Sequence, residues 1–394
     1  MGRSFRHYSK YAPVLFVFIL ALSLTQLLVN GEFLGQGVAE AKVIQEKGVF
    51  NEETVAFDKA NSQIQVAMAV QDRHTDILMA EPGIVGTATG LNEHGRPAIL
   101  VFAKSFELAK AAFIPSNIEG VPVVVKITGE IFAMPKPPWA GGPGGPPGGN
   151  GGDKVDPTTR FDRPGVPIGV STGNEGECSS GTIGARVKNG GIVYALSNNH
   201  VYALEKVFPN GIGSDVLQPG RFDTDCNTDP NDVIGTLSDF EDIVFSTSAN
   251  NVIDAAIAEE SSPGDLGNAT PSDGYGTPKS VIHSAYGDPD VIGDEDEDIA
   301  NLLGQSVQKY GRTTSLTKGE ITGINVRVNV RYSSGIARFV DQIEVVSIKG
   351  PFLKPGDSGS LVVTDDPEKN PVGLLFAGNR SGKIGFANRI DAVL

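Results

Sequence analysis

From residue 166 to the C-terminus the chain breaks into short apolar runs separated by turn residues. This spacing restricts the fold more than any other feature. "GTIGARV", "GIVYALSNN", "VIGTLSDF", "DAAIAE", "SVQKYGR", "EITGINVRVNVRY", "QIEVVSI", "GSLVV", "VGLLFAG" and "GKIGFANRI" follow one another with almost no helical period. Ten or more strands at such intervals predict an all-β barrel or sandwich. The composition agrees. The 49 glycines and 25 prolines among 394 residues favour turn-rich β structure, and a hydrophobic content of 40% suffices for a core.

Upstream the pattern changes. Residues 51–80 lack Gly and Pro, and Phe57, Ala60, Ile64, Ala67 and Met68 recur at helical spacing. "GIVGTATGLN", "AILVFAK" and "VPVVVKITGEI" then read as three strands, with "KSFELAKAAF" as a helix between the last two. One sheet covered by two helices predicts a small α+β domain over 42–134, either a pro-segment or inhibitor, or a binding module. "PKPPWAGGPGGPPGGNGGDKVDP" follows, in which nothing can bury a core, so 135–165 is read as an extended linker between two independent modules.

At the N-terminus, Arg3, Arg6 and Lys10 precede "PVLFVFILALSLTQLLV", a mostly apolar run of 17 residues, and then Ala39-x-Ala41. This predicts a secretory signal over 1–41 and a secreted or extracytoplasmic protein, with an uncleaved membrane anchor as the alternative. The net charge of −15, with no cluster of Lys and Arg, excludes counterion-release binding to nucleic acid. Only Cys178 and Cys226 are present, which in an exported chain are either a disulfide or two buried thiols. They have no zinc-ligand spacing.

The chemistry centres on "KPGDSGSLVV", residues 354–363. A serine nucleophile needs a base within reach and an acid that holds the base's tautomer. In the β region His200 ends the strand "GIVYALSNN" at a turn, whereas His283 lies beside an acidic loop. Asp254 sits within the apolar run "NVIDAAIAEE", where an ionised carboxylate is costly unless an imidazole N–H or similar donor satisfies it. Gly356 allows the N–H groups of Gly356 and Ser358 to point at one spot and form an oxyanion hole.

"SNNHV", "DAAIA" and "GDSGS", in that order, resemble the signatures of trypsin-like (chymotrypsin-fold) serine peptidases of bacterial type. Gaps of 54 and 104 residues suit that family, and "KYGRTTSLTKGEI" resembles the strand opening its second barrel. The resemblance covers roughly 175–394. It implies an all-β double β-barrel catalytic domain over 166–394, with Ser358 as nucleophile, His200 as base and Asp254 as orienter. It further implies Phe352 at the base of the pocket for the residue before the cleaved bond, and Phe376, Ala377 and Gly378 as the strand that pairs with a peptide substrate. No acid stands at position 352, which favours an apolar or small side chain in that pocket. Two departures stand out: Val201 follows the histidine where the family usually has a cysteine, and no activation sequence is evident. The rival expectation is a peptidase-fold protein that binds or scaffolds peptides without turnover.

Other signals read blandly. Seven carboxylates between Asp288 and Asp298 form a solvated loop, with Ca²⁺ binding as the weaker alternative. "DTDCNTDPND" mimics the start of a calcium loop at Asp223, Asp225 and Asn227 but lacks the later glycine and glutamate, which excludes an EF-hand and leaves Ca²⁺ binding there as a weak alternative. "GTATGLNEHG" reads as a hairpin, and His74 and His94 lack ligand spacing. No cofactor is expected.

Overall fold

The computed structural model describes residues 52–133, 154–287 and 298–394, with side chains from residue 61 onward in the first stretch. The expected signal segment 1–41, the Gly/Pro-rich core of the linker and the acidic loop over 288–297 lie outside the described residues.

Helix α1 (Glu52–Ala80) buries a single stripe, Ile64, Ala67, Val70, Gln71, Thr75 and Leu78, as a 3.6-residue period requires. Each fully buried Ile, Val or Leu contributes about 1.5–3 kcal/mol. The buried Gln71 is satisfied: its amide donates to Asn325 O at 2.8 Å and its carbonyl accepts from Thr89 Oγ1 at 2.7 Å. Then follow β1 (Ile84–Leu91), β2 (Pro97–Ala103), α2 (Phe106–Ala111), β3 (Asn117–Ile118), β4 (Val121–Ile127) and β5 (Ile131–Ala133). The run "VPVVVKITGEI" is thus two strands, because Gly129 at φ +80° turns the chain between β4 and β5.

The next segment forms β6 (Ser171–Asn174), β7 (Gly181–Thr182), β8 (Ala185–Asn189), β9 (Ile192–Ser197), the single turn α3 (Asn199–Tyr202), β10 (Asp215–Leu217), β11 (Val233–Phe240) and β12 (Ala256–Glu260). The last forms β13 (Ser306–Gly311), β14 (Ser315–Arg331), β15 (Ile336–Ser347), β16 (Leu361–Thr364), β17 (Pro371–Asn379), β18 (Ile384–Arg389) and the turn α4 (Ile390–Val393). Two curled sheets result, one of seven strands ordered β7-β6-β10-β11-β12-β9-β8, the other of eleven built around β13–β18. This is the expected double β-barrel body preceded by an α+β segment. Along β14, Ile324, Val326, Val328 and Val330 point inward while Arg327, Asn329 and Arg331 stay partly exposed, the period of two that a half-buried strand imposes.

Two expectations change. The α+β segment is not an independent module, because β1 pairs antiparallel with β14, Gly86 opposite Val328 and Thr89 opposite Ile324, so its sheet continues the second barrel. Residues 154–165, expected in the linker, are anchored to the first sheet. Pro157 O accepts from Ser171 N at 2.8 Å, Phe161 N donates to Gln218 at 2.9 Å and Arg163 donates to Val233 O at 2.7 Å. The physical reason is the same in both cases: unpaired strand edges and backbone donors bind the nearest partner, which composition does not encode.

Candidate active site

Strand β9 ends at Ser197, and α3 turns His200 inward at once; its side chain has no solvent exposure. Asp254 lies just before β12 and is fully buried. Its carboxylate accepts from His200 Nδ1 at 2.5 Å, from the His200 backbone N–H at 3.1 Å and from Tyr332 Oη–H at 2.8 Å. The backbone around Asp254 is also held: its N–H donates to Asn388 Oδ1 at 3.1 Å, and its carbonyl accepts from Asn198 Nδ2 at 2.7 Å. An ionised carboxylate only accepts, so the His200 proton sits on Nδ1 and the lone pair on Nε2. That Nε2 is buried with no partner among the described residues.

Tyr332 closes the tip of the β14–β15 hairpin, where its N–H donates to Gly335 O at 2.8 Å. Burial and the neighbouring Asp254 charge hold its hydroxyl well above the usual phenol range, so it remains a donor. Aromatic contacts run from His200 through Tyr332 and Phe339 to Phe376, with centroids 5.8, 6.0 and 4.8 Å apart.

Ser358 is also fully buried, and its Oγ donates to Phe376 O at 3.4 Å. The loop before it wraps around the buried Asp357 carboxylate. That group accepts from Thr313 N at 2.8 Å, Thr314 N at 3.1 Å, Thr314 Oγ1 at 2.8 Å and Lys354 N at 2.8 Å. The equally buried Lys309 ammonium stands 3.5 Å away; desolvation pushes its pKa down while Asp357 pulls it up. Gly356 adopts φ +103°, and a Cβ there would lie 2.5 Å from Thr313 Oγ1, so no other residue fits. Neither Gly356 N–H nor Ser358 N–H has an acceptor among the described residues. Thr182 on β7 fastens the two sheets together at this loop. Its N–H donates to Ser358 O at 2.8 Å and its hydroxyl donates to Gly356 O at 2.8 Å.

The structure therefore brings His200 and Asp254 into direct contact. It does not join Ser358 to that pair by a hydrogen bond: Ser358 Oγ bonds the Phe376 carbonyl, and His200 Nε2 has no partner among the described residues. Phe352 is fully enclosed, with its N–H donating to Gly382 O at 2.7 Å. Phe376 and Ala377 are buried in β17, followed by Gly378. His283 lies apart, its Nδ1 accepting from Ala285 N at 3.1 Å, and partial burial lowers its pKa. Cys178 and Cys226 are bonded, with Cα atoms 5.1 Å apart. The calcium alternative at Asp223 fails, because both of its oxygens pair with the buried Arg312 guanidinium and one also accepts from Ser171 at 2.5 Å. Sequence reasoning missed Tyr332, Lys309, Asn198 and Asn388.

Residues 283–391 match a family described as the Nal1 C-terminal domain. No curated protein matches the sequence. Among solved structures the chain is similar to Thermobifida fusca protease A (18% identity, TM-score 0.37, 58% of this chain and 94% of that one). It is also similar to Nocardiopsis protease (18%, TM-score 0.36, 57% and 93%) and to Cellulomonas bogoriensis chymotrypsin (20%, TM-score 0.35, 57% and 92%).

Proposed function

We propose that the protein is an exported serine endopeptidase in which Ser358, His200 and Asp254 act together. The observation that carries the reading is the His200 imidazole, pinned at Nδ1 by a buried carboxylate and open at Nε2. In this reaction Nε2 takes the Ser358 proton as Oγ attacks a peptide carbonyl. The developing oxyanion is received by the Gly356 and Ser358 N–H groups. The same imidazole then protonates the leaving amine, and water releases the acyl group by the reverse sequence. Export rests on the basic, then apolar, then small-residue order of 1–41. Phe352, enclosed where a charged pocket base would stand, supports an apolar or small residue before the cleaved bond. Reporter peptides should be cut with Phe or Ala there, and preference for Arg would refute this specificity.

Labelling by a fluorophosphonate probe tests the catalytic reading. The protein should label with one equivalent, and Ser358→Ala and His200→Ala should remove the label. A folded chain that never labels at millimolar probe over many hours would instead match the binding or scaffold role. Tyr332→Phe should lower kcat by about tenfold with KM unchanged, since it removes one hydrogen bond to a charged acceptor without touching substrate. Steady-state kinetics reads this directly, and an unchanged kcat would leave Tyr332 as packing alone.

A further inference from the structure

The edge of β17 facing away from β18 is used in sequence by three neighbours. Strand β16 pairs with it as far as Leu374. Leu375 then exchanges bonds with the nucleophile loop, its N–H donating to Ser360 O at 3.0 Å and its carbonyl accepting from Gly359 N at 2.8 Å. Phe376 O accepts from Ser358 Oγ. From Ala377 onward the edge is taken by β5 of the same chain, antiparallel, with Ala133 opposite Ala377, Phe132 opposite Gly378 and Ile131 opposite Asn379. The direction is informative. The C-terminal end of β5 is the end nearest Ser358, as for the acyl half of a peptide running toward its cleaved carbonyl.

We infer that β5 occupies the peptide-binding edge as the chain's own substrate-like strand and holds the site latent, an inference that rests on the peptidase reading above. An extended peptide cannot add to an edge whose donors and acceptors are already paired. The reacting groups are closed accordingly: Ser358 has 0% exposure and His200 2%. The strand is gripped on both sides, since β14 pairs with it in parallel, Val330 opposite Ile131 and Arg331 opposite Phe132. Ile131 is buried among Phe339, Phe376 and Phe386. Asn379 Nδ2 donates to Thr128 O at 3.1 Å, Arg331 meets Glu130 at 2.6 Å, and the Arg380 guanidinium lies 5.8 Å from the Phe132 ring centre. The ligand class follows from the same register: an extended peptide with a bulky apolar residue opposite Gly378 and a small one opposite Ala377. For such a peptide to bind, β5 must leave.

Successive N–H groups on a strand point to opposite edges, so Phe132→Pro and Ala133→Pro between them remove the donor to each neighbour. Two readouts apply: the rate of fluorophosphonate labelling, and binding of a fluorescein-labelled peptide of sequence 129–135 to the same proteins carrying Ser358→Ala. The native chain should label slowly and ignore the peptide, whereas the variant that frees the β17 edge should label roughly tenfold faster or more and bind it. Phe132→Ala, which keeps every backbone donor, should give a smaller gain of about two- to fivefold, and it serves if a proline variant fails to fold. Equal labelling rates and equal peptide binding in native and variant chains would overturn latency while leaving the peptidase reading intact. If neither chain labels but the variants alone bind peptide, occlusion stands and catalysis is what fails. If the variants gain neither labelling nor binding, the inference falls.

Discussion

Ser358→Ala and His200→Ala should each lower kcat by about 10⁶, and the double variant by no more than either alone. In the proposed reaction the two groups share one step: without Nε2 as acceptor the Ser358 hydroxyl is a poor nucleophile, and without Oγ the imidazole has no proton to move. Asp254→Asn should cost about 10⁴ while the protein remains folded. An amide at 254 presents one N–H where the carboxylate now accepts from His200 N, His200 Nδ1 and Tyr332 Oη–H. The imidazole then turns to the tautomer with its proton on Nε2, where it cannot act as base. Turnover of a reporter peptide, measured in the background in which the β17 edge has been freed, with thermal unfolding as the control, checks the set. Retention of activity to within tenfold in Ser358→Ala would overturn the assignment.

Lys309→Met should destabilise the protein by about 3–5 kcal/mol, the usual consequence of leaving a buried charge without its counter-charge. Lys309 and Asp357 are both fully buried, 3.5 Å apart. Lys309 Nζ also donates to Ser315 O at 3.3 Å. The Asp357 carboxylate holds Thr313, Thr314 and Lys354, the residues around which the Ser358 loop turns. Loss of the ammonium should therefore loosen that loop, and kcat should fall along with stability. Adding Asp357→Asn to Lys309→Met should recover part of the lost stability, because the uncompensated charge is gone. It should not recover kcat, since an amide nitrogen faces the Lys354 N–H donor. Urea unfolding of the four members of this cycle measures the coupling, and a cost below about 1 kcal/mol would show that water reaches Asp357.

The site was legible in the sequence wherever a residue's own surroundings imposed a demand. Asp254 stood in an apolar run where an unpaired carboxylate is expensive, and it proved to be fully paired. Gly356 stood before a serine at a turn, and it takes a conformation closed to other residues. Tyr332 was illegible because it lies 78 residues from Asp254 and reads as the polar end of a strand. Lys309 was illegible for a similar reason, since a lysine within "SVQKYGR" reads as a solvated strand position until Asp357 is folded against it.

By itself, the sequence determined what depends on periodicity and on local backbone chemistry. That covers the β character of 166–394, the helix before β1, the turn at Gly356 and the need of Asp254 for a partner. Tertiary structure alone decided what depends on which edges meet. It joined β1 to β14, tied residues 154–165 to the first sheet and seated β5 along β17 beside Ser358. The physical reason is that strand pairing satisfies backbone N–H and C=O groups, which every residue carries alike, so the sequence leaves no mark of which edge they will find.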